Sequence, residues 1–488
     1  MKFLSKGAPE ARHRLIILTD MENEPDDSQT MVKLLMYANE LDIEGLITVT
    51  SRWLPDRMYP ESIAVRVQAY GVVRPYLQKH ATGWPTEAYL TERIASGQWG
   101  YGMQGVGDGK STSGSDLIIK AVDADDPRPV WVAINAGSNT LAQALWDVKR
   151  TRTAEEIDRF VRKLRVYDDS GQDDAGAWMC HTFPELFFIR SRVQVFGLYG
   201  PQGGGGPEPW LPLDQFAWAE RNIRTRHGIL GALYPQRIFP DGRHEFMEGG
   251  GTSTWIGLVN KALFVPDQIS WGGWGGRFSW EKEQVPAGMA GVAELEDKFK
   301  PYAMYPQAMD DSFDWECPPT VKLDLGTGAN NEIDTRIFAP LWRWRTAYVN
   351  DFKARMDWCV SEYEQANHHP VINFMGDENR SVIYLEAEAG ETVTLDASAS
   401  YDPDVCRRSW QRSIGETNEE QLQFNWFTYP EAGTYTGKVG VEKADASIAS
   451  LTIPTDASGK QIHVVLEVTD RDPKAPLTSY RRIVIDVM

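Results

Sequence analysis

Five acidic side chains fall within eight positions, at Asp20, Glu22, Glu24, Asp26 and Asp27, directly after the apolar run Leu15–Leu18. Carboxylates this close repel one another, so the segment calls for a cation or for thorough solvation. The apolar run reads as a buried strand, which places the acids at its carboxyl end, where α/β folds build their sites. Met31, Leu34, Leu35 and Ala38 then recur at helical spacing, so Asp26 and Asp27 belong to the first turn of a helix, whose dipole favours negative charge. A solvated, acid-capped helix start accounts for one capping residue but not for five carboxylates. Calcium takes six to eight oxygen ligands in a flexible shell, and closely spaced carboxylates supply several at once.

The elements that must hold this loop alternate from Leu15 to about Arg192. LIILT is followed by a helix through Asn39, IEGLITVTS by a helix from about Pro60 to Gln78, and the strand Val130–Asn135 by a helix over Thr140–Lys149. A further strand is expected at Leu164–Tyr167. That order predicts an α/β domain with a mostly parallel sheet and crossover helices. Residues about 200–336 are rich in Gly, Pro, Trp and Tyr with weak periodicity, which reads as an irregular insertion covering the site. After Pro370 short alternating strands with regular turn signals predict an all-β sandwich of immunoglobulin type. The expected division is 1–368 for the α/β domain and 369–488 for the sandwich, with a helix over Ala347–Tyr363 before the linker.

A chain of 488 residues with 42% apolar content has ample material for such domains, and its formal charge of −19 excludes nucleic acid and anionic membrane surfaces as partners. A neutral ligand such as a sugar fits that charge, and a homo-oligomer is left open. Cys180, Cys317, Cys359 and Cys406 lie far apart and suggest buried thiols rather than a zinc site or a disulfide framework. The opening MKFLSKGAPEARHR has no apolar core of signal length. The chain as written is therefore expected in the cytoplasm, and in the periplasm or outside the cell if an export signal has been removed.

The loop D-M-E-N-E-P-D-D resembles the D-x-D-P-G-x-D-D loop of the nucleoside hydrolases, with Glu22 in place of the second Asp. The chain is more closely similar, over nearly its whole length, to nucleoside-hydrolase-like bacterial proteins of the Sde182 cellulose-binding type. TDMENEPDD, NELDIEGLI, the QDDAG segment, WGGWGGRFSW, NDFKARMDW and the closing LTSYRRIVIDV carry that resemblance. It implies a bound calcium, with Asp27 as bidentate ligand, Glu22 touching the ion, the Ala136 carbonyl ahead of the glycine in NAGSNTLAQAL, and Asp351 opening a late helix. It further implies that Asp26 accepts a hydrogen bond from a sugar hydroxyl and that Glu22 takes the proton of the attacking water. Single displacement at the anomeric carbon would invert configuration.

Two departures point away from nucleosides. Thr50, Ser51 and Arg52 stand where those hydrolases carry an Asn, and HEFMEGGGT at His244–Thr252 only partly echoes their ribose motif. Gln172, Asp173 and Asp174 can bind sugar hydroxyls or supply a leaving-group acid, or else form a solvated turn. Trp271, Trp274 and Trp280 stand among glycines and suit sugar faces with Glu248 beside them, or else pack a cover onto the sheet. His181 and His244 can donate a proton to a leaving group, or else, as lone histidines more often do, play a structural part. The expected function is a calcium-dependent glycoside hydrolase acting on an O- or N-glycosidic bond. The alternatives are a carbohydrate-binding, specifically cellulose-binding, protein with a non-catalytic hydrolase-like domain, and a true nucleoside N-ribohydrolase.

Overall fold

The computed structural model describes residues 2–6, 12–169, 171–191, 218–238, 244–245, 249–263, 265, 267–280, 309–310, 320–324, 330–404 and 422–488. The chain divides into two compact units. Arg12–Val259 and Trp274–Trp344 form one; Met1–Ala11, Asn260–Gly273 and Arg345–Met488 form the other.

The first is an α/β unit. Its strands are β1 (His13–Thr19), β2 (Leu41–Thr48), β3 (Ile94–Ser96), β4 (Val130–Ile134), β5 (Leu164–Asp169) and β6 (Phe187–Ser191). They lie in the order β3-β2-β1-β4-β5-β6, every neighbouring pair parallel. Leu15, Ile16, Ile17 and Leu18 are all buried, as a central parallel strand covered on both faces requires. Helices α1 (Pro25–Met36), α2 (Pro60–His80), α3 (Asn139–Thr151) and α4 (Ala175–Thr182) lie on the connections. Pro25 and Pro60 occupy first-turn positions, where the missing N–H costs nothing. Among the described residues no helix is long and apolar enough to cross a membrane.

The second unit is all-β apart from its helices. A five-stranded sheet runs Lys2–Lys6, Ile383–Ala387, Thr478–Val487, Gln461–Asp470, Leu422–Thr428. A two-stranded antiparallel ladder joins Thr392–Asp396 to Ile448–Thr452. Ile383, Leu385, Val464 and Leu466 of one sheet share a single core with Val393, Leu395 and Leu451 of the other, which makes the unit a sandwich.

The expected boundary near residue 368 is displaced. Helix α5 (Arg345–Trp358) belongs to the all-β unit, where the Trp358 indole donates to the Asn367 carbonyl and Asn350 to that of Pro476. The segment Asn260–Gly273 joins it too, because Arg482, fully buried, donates to the carbonyls of Leu263 and Trp271 at 2.8 and 2.7 Å. A buried guanidinium has five donors to satisfy, and loop carbonyls satisfy several here.

Candidate functional site

Strand β1 lies between β2 and β4, so the chain leaves it towards β2 and β3 and later returns to β4, β5 and β6 on its other side. Such a reversal opens a crevice outside the carboxyl ends of the strands. Two loops leave the sheet there: Asp20–Glu24 after β1 and Asn135–Ser138 after β4.

Asp20 opens the first loop and Asp26 and Asp27 lie in the first turn of α1, each less than a tenth exposed. Burial, helped by the Asp26 charge, pushes the Asp20 carboxyl up to about 7 against the opposing hydrogen bond from Ser51. Asp27 is likewise held well above the usual carboxylate range by burial and by the charges of Asp20 and Asp26, although the Thr19 hydroxyl donates to it. Two buried carboxylates, Asp20 and Asp27, are thus held towards protonation, with the Asp26 charge contributing to both. Among the described residues no group of three His, Cys, Asp or Glu side chains is arranged to hold a metal ion.

Glu22 does not join the trio. Its backbone is left-handed, φ 74°, and its Oε1 accepts from Ser62 of α2, from Ser28 at 3.3 Å and from Arg66 at 3.4 Å. The turn aims its carboxylate at α2, so Asp20 rather than Glu22 is the acid that stands with Asp26 and Asp27. The Glu22 side chain stays 47% exposed.

Ala136 is buried in the turn from β4 to α3, where the Gly137 amide donates to the Thr50 carbonyl at 3.1 Å. A Cβ on Gly137 would stand 2.3 Å from that oxygen, so the turn requires glycine. Asp351 belongs to the other unit, inside α5 rather than at its opening. Its Oδ2 accepts from Lys261 at 2.5 Å and lies 2.8 Å from His369 Nε2, while Oδ1 accepts from Arg355 at 2.8 Å. Burial alone would raise this carboxyl, but the charges around it, Lys261 foremost, hold it well below its usual range. Two cations around one carboxylate compensate its burial and do not suit a calcium ligand.

Asp173 is no solvated turn. Its carboxylate accepts from the Ser138 amide and hydroxyl at 2.8 and 2.6 Å and from the amides of Asn139 and Ala175 at 3.1 and 3.0 Å. It thereby caps α3, and burial pushes its carboxyl up to about 6. Asp174 accepts from the Met103 amide at 2.8 Å, and Gln172 donates to the Asn135 carbonyl at 2.9 Å. All three brace the crevice loops through bonds to the protein's own backbone and hydroxyls.

Trp271 and Trp274 are buried. The Trp271 ring meets His463 edge-on at 4.6 Å, within the all-β unit. Trp280 is exposed but leans on Phe187, the opening residue of β6, at the opposite end of the sheet from the acids. Trp271 and Trp274, expected as aromatic platforms, are instead packed into the protein interior. Glu248 lies outside the described residues. His181 is exposed at the end of α4, and His244 lies in a two-residue strand paired with Arg237–Ile238. Two residues with no role read from sequence, Asp20 and Ser51, are central here. Asp20 carried a signal as the first acid after β1, and Ser51 as one of the three residues standing where the nucleoside hydrolases carry an Asn.

A doubly wound sheet with an acid-lined switch point defines a nucleoside-hydrolase-like domain. Residues 14–278 match the family described as "Cellulose-binding Sde182, nucleoside hydrolase-like domain", and residues 412–487 match "Cellulose-binding protein Sde0182, C-terminal domain". The chain belongs to this Sde182 family. A solved nucleoside hydrolase-related protein from Saccharophagus degradans, described as associated with carbohydrate metabolism, is 38% identical, with 98% of this chain and 100% of that one covered at a TM-score of 0.78. An internalin-like protein of Listeria monocytogenes (15% identity, 22% of this chain and 27% of that one, TM-score 0.12) and an endo-beta-1,4-mannanase of Thermotoga petrophila (10%, 99% of each, 0.16) carry no argument. No curated protein matches the chain.

Proposed function

We propose that the protein is a cation-dependent glycoside hydrolase acting on a neutral saccharide. The supporting observation is the buried trio Asp20, Asp26 and Asp27 at the switch point, with Glu22, whose side chain is 47% exposed, on the same connection between β1 and α1. Asp20 and Asp27, with the Ala136 carbonyl, would hold a calcium ion. When bound, such an ion lowers the pKa of a coordinated water and binds vicinal hydroxyls. Asp26 then accepts a hydrogen bond from a sugar hydroxyl. Glu22 is the base: Ser28, Ser62 and Arg66 all address Oε1 and orient the side chain, and Oε2 takes the proton of the attacking water. A carboxylate-lined crevice also favours the positive charge that develops on the sugar ring.

The cellulose-binding description of the family favours a second reading, a carbohydrate binder without turnover. One experiment separates the two. Aryl furanosides, aryl pyranosides and nucleosides are assayed side by side with wild type, Glu22→Gln and Asp26→Ala. The hydrolase reading expects Glu22→Gln to lose at least about a hundredfold in kcat with substrate binding retained, and Asp26→Ala to lose both. Equal residual rates for all three proteins on every substrate, alongside measurable oligosaccharide binding, leave the binder.

A further inference from the structure

Two large aromatic side chains are exposed on loops at the carboxyl end of the sheet: Trp53 after β2, 43% exposed, and Trp99 after β3, 71% exposed. Indoles are costly to leave in water, and a pair on neighbouring loops beside a polar crevice marks a ligand surface. The two loops are built into the acidic site rather than merely near it. Ser51, which bonds the Asp20 carboxylate, also receives the amides of Trp53 and Leu54 on its hydroxyl at 3.0 and 2.9 Å. Thr50 donates to the Gln98 carbonyl at 3.5 Å, and Asn139 spans both loops, reaching Thr50 Oγ1 at 3.3 Å and the Gly100 carbonyl at 2.7 Å. Tyr101, two residues beyond Trp99, is fixed by donating to the Gln172 carbonyl at 2.5 Å.

The strands preceding Trp53 and Trp99, β2 and β3, are the first and second neighbours of β1 on one side, so both loops leave the sheet on the same side of the acidic loop. We propose that this row is an extended binding surface for a neutral oligosaccharide, whose successive rings stack on Trp53 and Trp99 while one end enters the crevice. The Arg52 guanidinium lies 5.1 Å from the centre of the Trp53 ring and supports one face, which leaves the other to the sugar. The row gives the chain affinity for long saccharides, and the acids repel charged ones. The inference deepens the carbohydrate reading of the crevice and rests on it, but not on hydrolysis.

The test is calorimetric titration of the full chain with cellobiose, cellohexaose and oligogalacturonate. Wild type should bind cellohexaose more tightly than cellobiose. Trp53→Ala and Trp99→Ala should each weaken cellohexaose by about tenfold and shrink that gain, while Trp99→Phe retains most of it. Trp280→Ala, which changes the exposed indole at the other end of the sheet, should bind cellohexaose as wild type does. Wild-type affinity in both Trp53→Ala and Trp99→Ala overturns the proposal, as does tighter binding of oligogalacturonate than of cellohexaose. Tryptophan-dependent binding without turnover of any glycoside upholds the row and removes only the hydrolase reading. No binding of any saccharide by wild type removes both.

Discussion

Replacing Asp20 by asparagine should change sign in its effect on stability when calcium is withdrawn. Asp20 titrates at 3.8 in the ordinary case and at about 7 in the cation-free fold, with burial as the leading cause. At about 1.4 kcal/mol per pH unit, ionising this group at neutral pH costs the cation-free fold about 4 kcal/mol relative to the unfolded chain. Because the folded value is the raised one, the fold holds the proton more tightly, and stability falls as pH rises from about 4 to about 7. The introduced amide carries no charge to desolvate, and its oxygen can still accept from Ser51. In EDTA at pH 7 Asp20→Asn should therefore melt above wild type by several degrees. Added calcium should reverse the order, since wild type gains RT ln(1 + [Ca]/Kd) and the variant, short of one ligand, gains much less. Differential scanning calorimetry at pH 5 and pH 7, with calcium and with chelator, reads all four states. A variant that melts below wild type in EDTA at pH 7, or one that gains as much from calcium as wild type does, refutes the reasoning.

Three further outcomes follow from the all-β unit. Burial, followed by the Arg482 charge, lowers His463 from 6.5 to about 2, so the fold excludes a proton that the unfolded chain accepts. Stability should drop by about 1.4 kcal/mol per pH unit below pH 6.5, and His463→Gln should move the acid-unfolding midpoint, followed by circular dichroism, to lower pH. Arg482→Met strips donors from the Leu263 and Trp271 carbonyls and should cost about 3 kcal/mol or more in urea unfolding. Ending the chain at Pro370 removes Arg482 and His463 from the segment Asn260–Gly273, and the product should be insoluble on expression; a soluble, cooperatively melting truncation would contradict the division of units.

The sheet was legible because its signals are local. Leu15–Leu18, Val130–Ile134 and Leu164–Tyr167 are apolar runs followed by helical periodicity, and strands and helices stand within a few residues of where those patterns place them. The short β3 and the strand Lys2–Lys6 were missed, one for its length and the other because its partner, Ile383–Ala387, is remote in sequence. At the site the acids were found but their partition was not. Glu22 turns away because of a left-handed backbone that no side-chain pattern announces. Asp351 could be placed on a helix, yet its lysine partner lies ninety positions earlier and its environment is a tertiary fact. Trp271 and Trp274 among glycines looked open, whereas Trp53 and Trp99, isolated in ordinary loops, gave no sign of exposure.

The strand Lys2–Lys6 has a consequence for biosynthesis. Lys2 pairs with Glu386, so one edge of the sandwich is made first and its partner nearly four hundred residues later. At roughly 5–20 residues per second that interval is on the order of twenty seconds to more than a minute. Throughout it the nascent strand offers unpaired amides and carbonyls, the usual template for joining a foreign edge. The α/β unit can complete its sheet from residues 12–191 during this time, but the sandwich must wait for Thr478–Val487, the strand that pairs with Ile383–Ala387. A chaperone that shields the strand Lys2–Lys6 until Ile383–Ala387 is made should therefore raise the yield of folded protein.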